Sequence, residues 1–148
     1  MKGIKLGVAA LAIMAMTSIV NAAGVGYIDY GKVIDNYDYA KQVTKEVDAK
    51  GLEMQQYLVD KEKEYKSLDT PLKKQTFEER ISQEFKTKES SYLALREKRE
   101  KEVYDKIQAA AKSVMVEQKL DAVMDARGVF VGGIDITDSV IQKLKLTR

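Results

Sequence analysis

The sequence has no cysteine, no histidine and no tryptophan, and it has a single proline. The absence of cysteine excludes a disulfide framework and a lipid-modified cysteine. Without cysteine and histidine, the usual general base, the thiol nucleophile and the soft zinc ligands are also missing. We therefore expect a protein that is not an enzyme and that has no catalytic residue, no metal site and no cofactor.

A long apolar run is present at the N-terminus, where Leu6–Val20 follows Lys2 and Lys5. This run is shorter than the roughly 20 residues that a membrane-spanning helix needs. The small-residue site Val20-Asn21-Ala22 follows it, and the whole pattern is typical of a secretory signal peptide. We therefore predict that residues 1–22 are a signal peptide, cleaved near Ala22, and that the protein is exported.

An excess of one charge sign is also missing from the mature chain. All 23 acidic residues lie beyond Ala22, and removal of Lys2 and Lys5 from the 25 basic residues leaves 23. A chain with balanced charge has no overall electric field that would attract nucleic acid. We expect no nucleic-acid partner.

Residues 41–111 are rich in helix-forming residues and contain 16 basic and 15 acidic side chains. They include one glycine, Gly51, and the protein's only proline, Pro71. Apolar residues recur there at three- and four-residue spacing, which predicts an amphipathic helix on each side of Pro71. At ~1.5 Å per residue these helices are about 40 Å and about 60 Å long. We expect them to project from the protein as an antiparallel, coiled-coil-like hairpin arm.

The break between the two predicted helices lies at residues 69–71, Asp-Thr-Pro, which either end the first helix or open the second. Thr76 and Glu79 have the three-residue spacing of a capping box, which is typical of a helix N-terminus. The tip of the arm is therefore predicted near residues 69–76.

Both ends of the mature chain contain short β-prone segments flanked by glycine. Val25–Tyr30 is predicted as the first strand, and Ala122–Asp125 and Val129–Gly133 as two more, joined by a turn at residues 126–128. We expect the three strands to form one small mixed sheet. Asp135 is placed to cap a final helix with an apolar face.

This predicted sheet lies at the base of the arm, which gives an α+β fold: a long helical hairpin that projects from a small β-body formed by both chain ends. We assign residues 23–40 and 112–148 to the body and residues 41–111 to the arm. A three-stranded sheet with one or two helices buries little apolar surface. We therefore expect several copies of the body to associate.

The glycines around the first strand have a second interpretation, which the sequence argues against. Gly26–Lys32 has the spacing of a phosphate-binding loop, but Val33 occupies the Ser/Thr position that binds magnesium, and Asp29 would bring negative charge to the phosphate. A strand that leads into a short helix is the better interpretation. The carboxylates of the arm lie among matching lysines, which predicts a solvated helix face.

Five elements resemble, in chain order, the Skp (OmpH-like) family of periplasmic chaperones: VGYIDYGKVI, the long charged hairpin, IQAAAKSVMVEQKLDAVMD, a predicted β-turn-β element and DITDSVIQKL. The resemblance covers essentially the whole mature chain. It implies a periplasmic homotrimer in which strands of three subunits form a central body. The helical arms would surround a cavity that holds unfolded outer-membrane proteins.

The resemblance also implies roles for particular residues. Body strands would contain Val25, Tyr27, Ile28, Val123, Val129 and Val131. Helices would pack against these strands through Ile107, Val114, Ile136, Val140 and Ile141.

Sparse apolar and aromatic side chains amid the charges of the arm are our candidates for client binding. They are Met54, Tyr57, Tyr65, Phe77, Phe85 and Tyr92. The tyrosines among them have two open interpretations, packing between the two helices or contact with a client. Lys73 and Lys74 at the tip likewise either contact a membrane surface or form an ordinary polar turn.

The predicted function is that of an ATP-independent holdase, which binds unfolded outer-membrane proteins and prevents their aggregation in transit. The nearly balanced charge of the arm gives no basis for assigning lipopolysaccharide-binding residues. The alternative function is that of an exported coiled-coil spacer or adaptor of the cell envelope. A spacer needs no strand-bearing ends, and these ends favour the chaperone.

Overall fold

The structure is a computed structural model that describes residues 24–147. The predicted signal peptide, residues 1–22, lies outside the described residues. In chain order the elements are β1 (Val25–Ile28), α1 (Tyr30–Asn36), α2 (Asp38–Lys66), α3 (Pro71–Glu117), β2 (Ala122–Asp125), a 3-10 turn (Ala126–Gly128), β3 (Ile134–Asp135) and α4 (Thr137–Leu146). The predicted α+β fold, with long helices and a small sheet built from the chain ends, is confirmed.

The sheet has the strand order β2-β1-β3, and both outer strands run parallel to β1. The predicted mixed sheet is therefore wrong. Parallel neighbours require a long crossover, and the chain between β1 and β2 contains α1, α2 and α3. β1 also ends two residues earlier than predicted, because the Asp29 carboxylate accepts a hydrogen bond from the Lys32 backbone N–H at 2.9 Å and starts α1.

The segment Val129–Gly133, which we predicted as a strand, lies in a loop, so the strand placement of Val129 and Val131 is wrong. Gly132 and Gly133 have φ angles of +80° and +89°, which turn the chain away from an extended path. A Cβ atom on Gly133 would lie 3.0 Å from the Tyr27 ring, so glycine lets the chain approach β1 closely. β3 forms immediately after these two glycines.

The two long helices α2 and α3 pack side by side in opposite directions. α3 begins at Pro71, and the Thr70 hydroxyl caps it by accepting a hydrogen bond from the Lys73 backbone N–H at 3.4 Å. The predicted capping box is wrong, because Thr76 lies inside α3 and its hydroxyl donates to the Leu72 carbonyl at 3.1 Å. α3 is one unbroken helix of 47 residues.

The hydrophobic core lies where the C-terminal part of α3 packs against α1, α4 and the sheet. The residues predicted to pack helices on strands are all buried: Ile107, Val114, Ile136, Val140 and Ile141. The same helix therefore belongs to the body at one end and to the arm at the other.

A partly buried hydrogen-bond group around Thr137 joins the N-terminal and C-terminal segments of the described chain. The hydroxyl of the buried Thr137 accepts from the Asp29 backbone N–H at 3.0 Å and donates to the Asp135 carboxylate at 2.6 Å. α4 starts one residue later than predicted, with Ile136 in the N-cap position. Asp135 instead accepts a hydrogen bond from the Thr137 backbone N–H at 2.9 Å.

The C-terminus of α3 is closed without glycine. Lys119 adopts φ +55°, and the Leu120 backbone N–H donates to the Met115 carbonyl at 2.9 Å. This left-handed turn with a six-to-one hydrogen bond is a Schellman motif. It directs buried Leu120 under β1 and leads the chain into β2.

Replacement of Thr137 by Val tests the hydrogen-bond group between the chain ends. We expect Thr137→Val to lower the free energy of unfolding by about 1–3 kcal/mol, because the Asp29 N–H loses its partner. Urea unfolding at fixed protein concentration measures the change. The control is Thr87→Val, because the exposed Thr87 hydroxyl bonds only to the Gln83 carbonyl within its own helix. Equal effects of the two variants would contradict the assigned role.

Replacement of Lys119 by Gly tests the turn after α3. Glycine adopts positive φ without the steric cost of a Cβ atom, so we expect Lys119→Gly to raise the free energy of unfolding by about 0.5–1 kcal/mol. The control is Lys112→Gly, an exposed site inside α3, where glycine should lower this energy by about 1 kcal/mol. A destabilised Lys119→Gly would show that the turn does not require left-handed backbone.

Candidate functional site

A charged cluster fixes the register of α2 against α3 near the body. Arg99 forms ion pairs with Glu46 at 3.0 Å and with Glu102 at 2.8 Å, and the Tyr39 hydroxyl donates to Glu102 at 2.9 Å. Hydrogen bonds to Glu102 and Glu46 raise the pKa of Arg99, and the bonds from Arg99 and Tyr39 lower the pKa of Glu102. Arg99 and Glu102 therefore remain charged across the physiological pH range.

The six predicted client-binding residues lie along the seam between α2 and α3. Phe77 is buried, and its ring lies 6.1 Å from the ring of Tyr65, measured between centroids. The other five side chains are half-buried. The structure therefore places all six partly or wholly in helix packing, which was one of the two interpretations left open for the tyrosines.

These six residues divide into two grooves on the arm. The middle groove has a volume of about 420 Å³ and is lined by Met54, Tyr57 and Tyr92. The distal groove has a volume of about 460 Å³ and is lined by Tyr65, Phe77 and Phe85, together with Leu58 and Ile81. Each groove presents the edges of apolar side chains to solvent.

Cationic side chains cover the aromatic rings in both grooves. The Lys88 ammonium lies 4.9 Å from the centroid of the Tyr57 ring, and the Arg80 guanidinium lies 5.3 Å from that of Phe77. An exposed cation–π contact stabilises by only about 0.5–1 kcal/mol. These flexible side chains can therefore move aside at little cost and uncover the rings.

Several apolar residues of the arm are more exposed than the six predicted ones. Leu52 is 64% exposed, Val59 45% and Leu93 53%. Leu52 and Val59 are seven residues apart, which places them on one face of α2. The sequence analysis missed these residues because it took client-binding candidates from the apolar stripe that packs between the helices. Large apolar residues outside that stripe are expected to face solvent, and this could have identified them.

The body also presents apolar side chains to solvent. Of its predicted residues, Val25, Tyr27 and Ile28 lie in β1 and Val123 in β2, whereas Val129 and Val131 lie in the loop before β3. Their assignment to an oligomerisation surface stays a prediction. The exposed large apolar residues of the strands and of the loop before β3 are Phe130, Val131, Ile134, Met124 and Val25.

Within residues 24–147, no group of three or more acidic, histidine or cysteine side chains is placed to hold a metal ion. None of the helices in this part of the chain combines the length and the apolar character required to cross a membrane.

Burial and the hydrogen bond that Tyr57 donates to Glu84 at 2.7 Å raise the pKa of the Tyr57 hydroxyl from its ordinary value of 10.0 to about 12. Because the pKa is raised in the folded protein, the protonated Tyr57 hydroxyl stabilises the fold fully below pH 10. This contribution to the free energy of unfolding is lost as the pH rises through about 12. We expect Tyr57→Phe to remove the tyrosinate absorbance step near pH 12.

Glu84→Gln is the matched control for this titration. It keeps Tyr57 but removes the carboxylate, so the step should remain and move to lower pH. A titration curve that is the same in both variants and in the wild-type protein would contradict the cross-helix bond.

Comparison with known proteins finds a match to one family model and matches to solved structures. A family model described as outer membrane protein (OmpH-like) matches residues 24–144. A solved structure of an OmpH-like outer membrane chaperone candidate from Caulobacter crescentus CB15 is 15% identical, with 85% of this chain and 86% of that chain covered and a TM-score of 0.42. A search of curated proteins finds no match. The family match includes both sheet-forming ends and both long helices.

Proposed function

Because the chain belongs to the OmpH-like outer membrane protein family, we propose that it is a periplasmic, ATP-independent holdase chaperone. It binds unfolded outer-membrane β-barrel proteins between the helical arms of a homotrimer and prevents their aggregation on the way to the outer membrane. The observation that carries the proposal is the pair of grooves on the arm, in which flexible cationic side chains lie over the aromatic rings.

The chemistry of the arm suits an unfolded membrane barrel. The strands of such a barrel alternate apolar and polar residues, and their unpaired edges aggregate in water. Partial burial of one apolar side chain contributes about 1 kcal/mol, whereas association costs at least ~4 kcal/mol. Several weak contacts are therefore needed at once, and several arms around one client supply them.

The proposed client surface combines the two grooves with the exposed face of the arm. It comprises the predicted residues Met54, Tyr57, Tyr65, Phe77, Phe85 and Tyr92, together with Leu52, Val59 and Leu93. Phe77 contributes mainly by holding the distal groove in shape, because it is buried. The exposed residues can contact a client without any movement of the arm, and the groove residues require their covering lysines and arginines to move.

Assembly into a trimer is part of the proposal. Residues 1–22 act as a cleaved signal peptide, residues 23–40 and 112–148 form the oligomerising body, and residues 41–111 form the arm. The small size of the sheet supports this assignment of the body. A sheet of ten strand residues buries little apolar surface by itself, and Val25, Met124 and Ile134 remain partly exposed. Packing of several bodies would cover these side chains.

Mass and activity measurements distinguish this function from that of an envelope spacer. We expect the mature protein to have the mass of a trimer in sedimentation analysis and, without ATP, to suppress light scattering by a barrel protein diluted from urea. An elongated dimer with no effect on scattering would favour the spacer.

Replacement of the exposed arm residues tests the proposed client surface. We expect Leu52→Ser, Val59→Ser and Leu93→Ser together to weaken client binding about tenfold or more, because their buried area is lost. Fluorescence titration with a labelled barrel protein measures the affinity. The control is Gln55→Ser, Gln83→Ser and Ala94→Ser, three exposed positions on the same helices. Unchanged affinity in the apolar set, with helicity and mass retained, would place the client elsewhere.

A further inference from the structure

Methionine is the one sulfur-containing residue type in the chain, since cysteine is absent. Beyond the predicted signal peptide there are three methionines, Met54, Met115 and Met124. Met115 and Met124 line a groove of about 640 Å³ beside β2, and Met54 lines the middle groove of the arm. Every thioether of the predicted mature chain therefore borders an open groove.

The three methionines differ in what their side chains support. Met115 packs against the hydrophobic core of the body, and Met124 is 46% exposed in the edge strand β2. Met54 is half-buried and is neither part of that core nor packed against it. A chemical change at Met54 therefore acts on the arm and leaves the core of the body intact.

The surroundings of Met54 belong to the proposed client surface. Tyr57 and Tyr92 line the same groove, together with Lys50 and Lys88. A thioether is polarisable and packs favourably against aromatic rings, which suits a surface that binds varied apolar segments. Hydrogen peroxide is little larger than water, whose share of liquid volume is about 30 Å³. A groove of about 420 Å³ therefore admits this oxidant to the sulfur.

Peroxide oxidises a thioether to a sulfoxide. The sulfur gives an electron pair to one peroxide oxygen, the O–O bond breaks, and the second oxygen leaves as water after it takes up the proton of the first. The sulfur loses two electrons, and hydrogen peroxide is reduced. Because the chain has no thiol that would compete for the oxidant, its methionines are the sulfur atoms that react.

We propose that Met54 is an oxidation site that regulates client binding, in which the thioether favours binding and the sulfoxide weakens it. This inference rests on the proposed holdase function and deepens it by adding regulation of the same surface. The sulfoxide oxygen accepts hydrogen bonds, and the ammonium groups of Lys50 and Lys88 supply donors in the groove. The arm therefore accommodates the oxidised side chain without unfolding.

The cost of oxidation falls on the bound client. An apolar client segment that covers the groove has to remove water from the sulfoxide and offers it no hydrogen bond in return. Because several arms hold one client, the loss is repeated at each arm. We expect client affinity to fall about tenfold or more on oxidation. Methionine sulfoxide reductases reverse the modification, so the effect is reversible.

The experiment confines oxidation to a single sulfur. The variant Met115→Leu, Met124→Leu keeps Met54 as the one thioether of the predicted mature chain, and the further change Met54→Leu leaves none. Leucine and methionine have similar volumes, so these changes preserve packing. Both proteins are treated with hydrogen peroxide. Mass spectrometry of the digested protein measures the added oxygen, and fluorescence titration with a labelled barrel protein measures client affinity before and after treatment.

We expect peroxide to add one oxygen to Met54 and to weaken client binding by the first variant about tenfold or more. Treatment with reductases specific for both sulfoxide stereoisomers should restore the affinity. The protein without thioethers should show the same affinity before and after peroxide. Helicity and sedimented mass should not change on oxidation, which distinguishes an altered groove from an unfolded arm.

A control thioether tests whether the position of the sulfur matters. Gln83 is exposed on α3 and lines neither groove of the arm. In the protein without thioethers, Gln83→Met should be oxidised by peroxide with no change in client affinity. Conversely, Met54→Gln in the otherwise unchanged chain introduces a polar side chain of similar length. It should weaken client binding about tenfold without any oxidant.

Affinity that is unchanged after complete oxidation of Met54 would overturn the inference, and so would wild-type affinity in Met54→Gln. A Met54 that takes up no oxygen in the folded protein, or an equal loss of affinity in the oxidised Gln83→Met control, would also overturn it. None of these results affects the proposed function, because client binding by the untreated protein is measured first. Untreated wild-type protein that binds no client would instead remove the proposed function, and the inference with it.

Discussion

The burial of the C-terminal part of α3 is the constraint on which the rest of the structure depends. Val103, Ile107 and Val114 lie in the core of the body, and the same helix continues without a break to Pro71 at the far end of the arm. A continuous α-helix is stiff because its backbone hydrogen bonds are internal. Anchoring one end of α3 therefore sets the direction of the arm and gives α2 a surface on which to pack.

The body and the arm are stabilised by different interactions. In the body, apolar burial dominates, and within residues 24–147 no buried side-chain nitrogen or oxygen lacks a hydrogen-bond partner. In the arm, half-exposed ion pairs such as Arg99–Glu46 and cation–π contacts such as Lys88–Tyr57 hold the two helices together. Such contacts contribute little each. The arm consequently keeps apolar side chains near solvent, as a weak and adaptable binding surface requires.

The candidate site could be predicted from the sequence only in part. The three- and four-residue spacing placed Met54 and Tyr92 in the apolar stripes of the two helices, and the structure groups them in one groove with Tyr57. Residue spacing does not determine how deeply each side chain is buried between two helices. The packing of α2 on α3 decided that Phe77 is buried and that Leu52 is exposed. The errors at Thr76 and Val129–Gly133 have a similar origin, because local propensity was outweighed by a better cap at Thr70 and by the glycine turn before β3.

The sequence by itself determined the division into a charged helical hairpin and two β-prone ends, because helix periodicity, proline and glycine act locally on the backbone. It also determined that no histidine or cysteine chemistry is present. Only the tertiary structure decided that the sheet is parallel with β1 at its centre, that Phe130 is left in solvent and that a groove remains beside β2. These features depend on contacts between residues about 100 positions apart, such as Asp29 and Thr137, and no local pattern encodes them.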